Sequence, residues 1–332
     1  MDATLDLSRW RETPRGVGYR RWSILRSGLD LLLRNRFYRI LLGAAWSSGL
    51  MIAVLGFTFS QAISSGGVLE SLATRLGPRF EAIVTALSGF VALYPDICIG
   101  GIFGLIFWVH SFVGLFLALL ALTGMIPRLI THDRASNALV IYLARPLTTT
   151  DYLLGKLGMI VGMILLVWTG PLLFGWLVSM LFATNTDFIW YSLEPLGRAL
   201  LFNGISLVAL AAIALGVSAL GKTSRMTTGV WIALWFVASA LAAPPGAPAW
   251  LKRASFTHDL KQVRQEVLRI DTALTRAGAE LPLLDRHFAA NLSAAGRRAA
   301  AEDVGGALAG LGVFVVLSSF VFFRRLKPEG DR

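Results

Sequence analysis

A few places in the sequence hold residue types that could do chemistry. His132-Asp133 and His258-Asp259 are histidine–aspartate pairs, donors that suit a metal site or an acid–base pair. The run from Gly216 to Thr223, GVSALGKT, meets the spacing of a phosphate loop, G-x-x-x-x-G-K-[ST]. His110 and the single cysteine, Cys98, lie inside long apolar runs. Context weighs against each of these. A phosphate loop joins a strand to a helix, and this one ends an apolar helical run. One cysteine allows no internal disulfide and no metal cluster, so Cys98 reads as a small buried hydrophobe. The His-Asp pairs fall on opposite sides of the membrane in the topology below and read as solvated polar residues. There is no H-E-x-x-H pair and no convincing Ser/His/Asp set. The chain is therefore expected to be no enzyme, with no catalytic residue, no cofactor and no metal. His110 has two readings. An ionisable residue inside a membrane is a functional candidate by default, and a neutral histidine bonded to a neighbouring carbonyl is the plainer account. No Asp or Glu lies within the apolar spans to extend a proton relay, which also weighs against an ion-driven transporter.

The elements that must position these residues are membrane helices. Hydrophobic residues make up 55% of the 332 and charged residues 15%, with mean hydropathy +0.64. A soluble domain carries about a quarter charged residues. The length accommodates about six spans of ~20 residues plus loops. The net charge of +11 invites a nucleic-acid reading. The arginines cluster beside the ends of apolar runs, where they act as orientation signals and lipid-phosphate partners, so no nucleic acid is expected.

Residues 1–39 carry nine arginines and no lysine. Trp22, Leu25, Leu29 and Leu32 recur at helical spacing, with Arg20, Arg21, Arg26 and Arg34 elsewhere on the wheel. This predicts an amphipathic basic helix lying on the cytoplasmic membrane surface. No secretory signal precedes the first span, which then acts as its own insertion signal. Spans are expected at residues 40–59, 97–125, 157–181, 199–220, 226–243 and 304–323. The first outer loop predicts short interfacial helices interrupted at Gly77-Pro78. Pro171 is expected to kink the third span. Gly158/Gly162 and Gly306/Gly310 are small-residue pairs that suit close helix packing. Residues 244–303 read as an extracytoplasmic helical hairpin. Leu260, Val263, Val267, Ile270 and Leu274 form an a/d seam. Gly278 stops that helix, and Pro282 opens a second with Leu284, Phe288 and Leu292 facing back. Short inside segments hold nineteen Lys/Arg against three in the short outside loops. The fold class is therefore all-α: six transmembrane helices, with both termini cytoplasmic and a tail at 324–332.

The rest is organised around residues 126–156, IPRLITHDRASNALVIYLARPLTTTDYLLGK. Arg128, Arg134, Arg145 and Lys156 mark this stretch as cytoplasmic. A short helix is expected over residues 131–143. Pro146 ends it by excluding Arg145 from the helical region. Thr148 and Asp151 then form a capping box for the helix that enters the membrane. A surface helix, a rigid turn and a spanning helix make a lever.

The string Asp133-Arg134-x-x-x-Ala138-Leu139-x-x-Tyr142-Leu143-x-Arg145-Pro146-Leu147-x-x-x-Asp151-Tyr152-x-x-Gly155-Lys156 resembles the signature loop of ABC-2 type permeases. These are the membrane subunits of ATP-driven, mostly export-type, transporters. One departure is Ala144, where the family often has serine. The resemblance implies a separate ATPase subunit, a second permease subunit (identical or related) and a multi-pass location in the cytoplasmic (inner) membrane. It also implies that residues 131–143 are the coupling helix docked in the ATPase. The coupling candidates are Thr131, His132, Asp133, Arg134, Asn137, Tyr142, Arg145, Pro146, Asp151 and Lys156. Of these, Asp133 and Arg134 are expected as exposed contacts, Arg145 and Pro146 as the fixed corner, and Asp151 as the cap. An alternative is a membrane scaffold that recruits a partner through the outer hairpin and its Leu260–Leu274 seam. The substrate is not named by the sequence.

Overall fold

A computed structural model describes residues 16–63, 68–131, 133, 148–183, 186–242, 244, 247–280 and 286–326, and the elements among them are all helical. Among the described residues, six helices are long and apolar enough to cross a membrane: Arg36–Gln61, Asp96–Thr131, Thr150–Leu181, Asp187–Leu220, Ser224–Ala242 and Val304–Arg325. They match the six expected spans, several with longer ends. Asp96–Thr131 has 36 residues, about 54 Å of helix at ~1.5 Å per residue, so it outruns a ~30 Å hydrocarbon core. The end of the bundle that leads into residues 132–147 is called the loop end below, and the opposite end the far end.

In chain order, α1 is Val17–Leu33 and α2 is Arg36–Ile63. Next come α3, Val68–Leu76, and α4, Pro78–Leu93. They divide where Gly77 takes φ 110°, a left-handed value that suits a residue without Cβ. The second span is α5, Gly101–Ile126, flanked by π turns at Asp96–Gly100 and Pro127–Thr131. The third span is α6, Thr149–Ile164, a π turn at Leu165–Thr169, then α7, Gly170–Leu181. Pro171 removes one N–H from the ladder, and the helix widens just before it. The fourth and fifth spans are α8, Asp187–Leu220, and α9, Ser224–Ala242. The insert holds α10, Ala249–Arg253, α11, Phe256–Leu268, α12, Ile270–Glu280, and α13, Arg286–Ala299. The last span is α14, Val304–Leu326.

The core forms around α8. Its most apolar stretch is 61% buried, against 17% for α9 and α14, so α8 is central and the other two are peripheral. A helix apolar on all sides belongs in such a place. Tryptophans fill the middle; two of them satisfy their polar edges, while Nε1 of Trp108, Trp168 and Trp235 is buried without a partner among the described residues. Trp176 Nε1 donates to Ser192 Oγ at 2.9 Å and Trp231 Nε1 to Thr123 Oγ1 at 3.1 Å. Trp168 stacks edge-on against Phe202 at 5.8 Å and lies over Gly114.

α1 does not stand apart from the bundle. Leu25, Leu29 and Leu32 turn inward, while Trp22 stays exposed. Ile24, Leu25 and Leu29 lie over Gly155, Gly158 and Gly162, where an added Cβ would come within 2.7, 2.7 and 2.9 Å of them. The Gly158/Gly162 pair thus seats the amphipathic helix against the third span.

The insert departs from the expected hairpin in its pairing. Arg269 takes φ 47°, which ends α11 in the middle of the predicted seam. Leu260 and Val263 are buried against the spans, chiefly α14, α8 and α9. The antiparallel pair is α12 with α13, in which a Cβ at Gly296 would meet Asp271 O at 2.7 Å. Gly278 lies within α12 and does not stop it. Pro282 and Leu284, and the side chains of Phe288 and Leu292, lie outside the described ones.

α11 also dips into the bundle. Arg253 pairs with Asp303 at the head of α14. Three residues later Phe256 meets Phe314 and Trp235, with ring centroids 5.8 and 5.0 Å apart. Ser255 Oγ donates to Ala238 O at 2.6 Å. α11 then climbs back until Gln262 Oε1 accepts from Glu302 N at 2.8 Å. Phe314 is ten residues into α14, so the first turn of α11 lies beside the body of that span rather than at its end.

Candidate functional site

The loop end is built on the N-terminus of α6. Thr148 is its N-cap, and Thr148 Oγ1 accepts from Asp151 N at 3.1 Å. The same hydroxyl donates to Asp151 Oδ2 at 2.8 Å, so the predicted capping box is closed. Asp151 is buried and receives Arg21 of α1, with Nε 2.7 Å and Nη2 2.6 Å from Oδ1. An acidic group in the first turn also suits the helix dipole.

One turn further, Tyr152 and Lys156 reach back to the end of the second span. Lys156 Nζ lies 2.6 Å from Asp133 Oδ2, and Tyr152 OH lies 2.7 Å from the same oxygen. Tyr152 OH is also 3.1 Å from Leu129 O, and Lys156 Nζ is 3.4 Å from Arg128 O. The π turn at Pro127–Thr131 presents these carbonyls, because a wider turn breaks the regular ladder. On its other side, Ile130 N donates to Ser218 Oγ at 3.1 Å and Thr131 Oγ1 to Ser218 O at 2.9 Å. Thr131 Oγ1 is 3.0 Å from Thr227 Oγ1 on α9. Side chains thus tie α1, the second and third spans, α8 and α9 together at one end. A cavity of about 970 Å³ opens beside them, lined by Ser27, Arg128, Asp133, Lys156 and Ser224 among others.

Of the ten coupling candidates, Thr131, Asp133, Asp151 and Lys156 are described, and they fall in this one region. His132, Arg134, Asn137, Tyr142, Arg145 and Pro146 lie outside the described residues. The expectation that Asp133 is exposed is corrected: it is 8% exposed, because its carboxylate is held by Lys156 and Tyr152. Thr131 is 1% exposed and likewise faces inward. Sequence reasoning did not single out Arg21, Tyr152, Ser218 or Thr227. Arg21 had a signal, an arginine on a helix preceding a span and an acidic cap with no local counter-charge. Ser218 and Thr227 had none, since small hydroxyls in apolar runs are common.

His110 is buried in the second span. Its Nε2 lies 3.2 Å from Trp168 O, in the π turn of the third span, and its Nδ1 3.4 Å from Ser48 Oγ. This arrangement is the bonded histidine of the plainer reading.

Six long apolar helices without a strand among the described residues define a multi-pass α-helical membrane protein. A family model described as ABC-2 family transporter protein matches residues 48–325, and the chain belongs to that family. It is a permease subunit of an ABC transporter, a transport subunit that is not itself catalytic. No curated protein matches the sequence.

Proposed function

We propose that the chain is the membrane half of an exporter driven by a separate ATPase, and that residues 126–156 receive the stroke. The observation that carries this is the pairing of Asp133 with Lys156 and Tyr152. It clamps the start of the coupling segment to the first turns of the third span. Force applied to residues 131–143 then reaches α6 through an ion pair and a capped helix start. His132, Arg134, Asn137 and Tyr142 supply the face toward the ATPase, Arg145 and Pro146 the corner, and Asp133, Asp151 and Lys156 the struts. The positive-inside asymmetry supports cytoplasmic termini in the inner membrane. Family membership supports an ABC ATPase and a second permease subunit as partners, with membrane lipid around them. The scaffold alternative loses its main support, since Leu260 and Val263 of the seam are buried against spans.

The test is copurification with the candidate ATPase from detergent, followed by ATP hydrolysis in liposomes. Arg134→Glu is expected to weaken the complex, and Lys156→Met to uncouple hydrolysis while the complex persists. A folded chain that captures no ATPase overturns the proposal.

A further inference from the structure

Two charged side chains of the insert occupy notches on one face of α14. Gly306 and Gly310 stand one turn apart. A Cβ at Gly306 would collide with the Arg253 guanidinium, and one at Gly310 with the Asp259 carboxylate. The glycines therefore leave a groove between guanidinium and carboxylate. Both groups are underused. Arg253 Nη2 pairs with Asp303, while Nη1 is buried and makes no hydrogen bond among the described residues. Asp259 is fully buried, and neither of its oxygens has a donor among the described residues. An ionised carboxylate without donors is costly in such a place, which favours the neutral acid.

The surroundings agree. Burial pushes the Asp259 carboxyl up to about 7; Arg253 pulls it down and Asp303 pushes it up. Asp303 is held low by the Gly306 N–H and by Arg253. Other charged groups nearby are engaged elsewhere. Lys252 Nζ lies 3.2 Å from Glu302, and Arg264 stacks 3.4 Å over the Phe112 ring. Burial, then Lys252 and Lys261, hold the adjacent His258 below its ordinary value. The charged residues of α8 and α9 are Asp187, Glu194, Arg198 and Arg225, and that of α12 nearest the joint is Asp271; none of them acts on Asp259 as Arg253 and Asp303 do.

We propose that Asp259 is a proton-binding site that selects the partner of Arg253. Protonated, Asp259 sits neutral against Gly310 and leaves Arg253 on Asp303. Deprotonated, it gives its proton to water, draws Arg253 along the glycine groove and opens the Arg253–Asp303 pair. The dipping segment α10–α11 is then held to α14 by a different contact on each side of the transition. The bond that breaks is the carboxyl O–H. This inference is independent of the coupling role proposed above.

The full chain in lipid nanodiscs tests it by infrared difference spectroscopy over about pH 5 to pH 9. A protonated carboxylic acid has a carbonyl band apart from the carboxylate bands. Wild type is expected to lose such a band with a midpoint near neutrality, and Asp259→Asn to lack that change. Two further variants read the two neighbours. Asp303→Asn frees Arg253 and removes a negative neighbour, so the midpoint falls by about one pH unit. Arg253→Gln removes the cation, so it rises by a similar amount. Opposite shifts place both neighbours on Asp259, and guanidinium bands that move with the same midpoint in wild type but not in Asp259→Asn support the exchange. A titration that persists in Asp259→Asn, or a midpoint that neither neighbour moves, would overturn it.

Discussion

The two ends of the molecule treat buried charge differently. Among the described residues of the loop end the buried charges are partnered: Asp133 holds Lys156, and Asp151 holds Arg21 and bonds the capping Thr148. In the dipping segment at the far end, Asp259, Arg264 Nε and one nitrogen of Arg253, and the uncharged Gln265 Oε1 beside them, have no hydrogen-bond partner among the described residues. A saturated polar network has one good arrangement and behaves as a rigid joint. An unsaturated one has unused valence and can change partners when a proton arrives. On the proposals above, transmission at one end and proton response at the other draw on opposite kinds of polar chemistry.

The largest effect is expected from unsaturating the loop end. Lys156→Met leaves Asp133 as a buried charge without its cation. The expected loss is about 3–5 kcal/mol, read by thermal unfolding of the purified protein. The double variant Lys156→Met/Asp133→Leu removes both charges and is expected to recover most of it. Equal losses in the single and double variants would mean that the pair is not what holds this end.

The far end is tested by pH. The folded-state carboxyl of Asp259 lies above its unfolded value, so its contribution is fully present below about pH 4 and lost as pH rises through about 7. In that window the folded chain keeps a proton that the unfolded chain has released. Wild-type stability is expected to fall across it by about 2–4 kcal/mol relative to Asp259→Asn. Parallel profiles for the two proteins would remove Asp259 from the account.

Legibility in the sequence followed the same division. The spans were readable because apolar runs of that length have few other uses. The capping box was readable because Thr148 and Asp151 interact within one turn. The clamp was half readable: Asp133, Tyr152 and Lys156 all stand in the quoted string, but which of them pair depends on how two spans meet. The insert was misread for a physical reason. Leu260 and Val263 show the same spacing whether they face a partner helix or the bundle. The break at Arg269 had no local signal, since arginine carries no preference for the left-handed region. Gly306 and Gly310 were readable as small, but not as hosts for charged side chains.

A smaller effect concerns how α1 is held to the loop end. Leu25 fills the space over Gly158. Gly158→Leu overpacks that contact and is expected to cost about 1–3 kcal/mol. Hydrogen exchange over residues 17–33 should rise. Unchanged protection there would show that α1 is seated by other contacts.

The smallest effect separates the two roles of Asp151. Asp151→Ala keeps the bond from its backbone N–H to Thr148 Oγ1 and loses the side-chain bond to Thr148 and the ion pair, and about 1 kcal/mol is expected. Arg21 is 43% exposed at its side chain, so its charge is screened, and Arg21→Ala is expected to cost only a few tenths. If the cap dominates, Asp151→Asn keeps most of the stability, since asparagine can still accept from the Thr148 hydroxyl. It also becomes insensitive to salt, because the remaining contact to Arg21 carries one charge instead of two. A loss in Arg21→Ala as large as that in Asp151→Ala would assign the strength of this joint to the α1 contact. Saturation at the loop end would then be a property of how α1 docks, and the rigid unit would extend from the third span into the N-terminal helix.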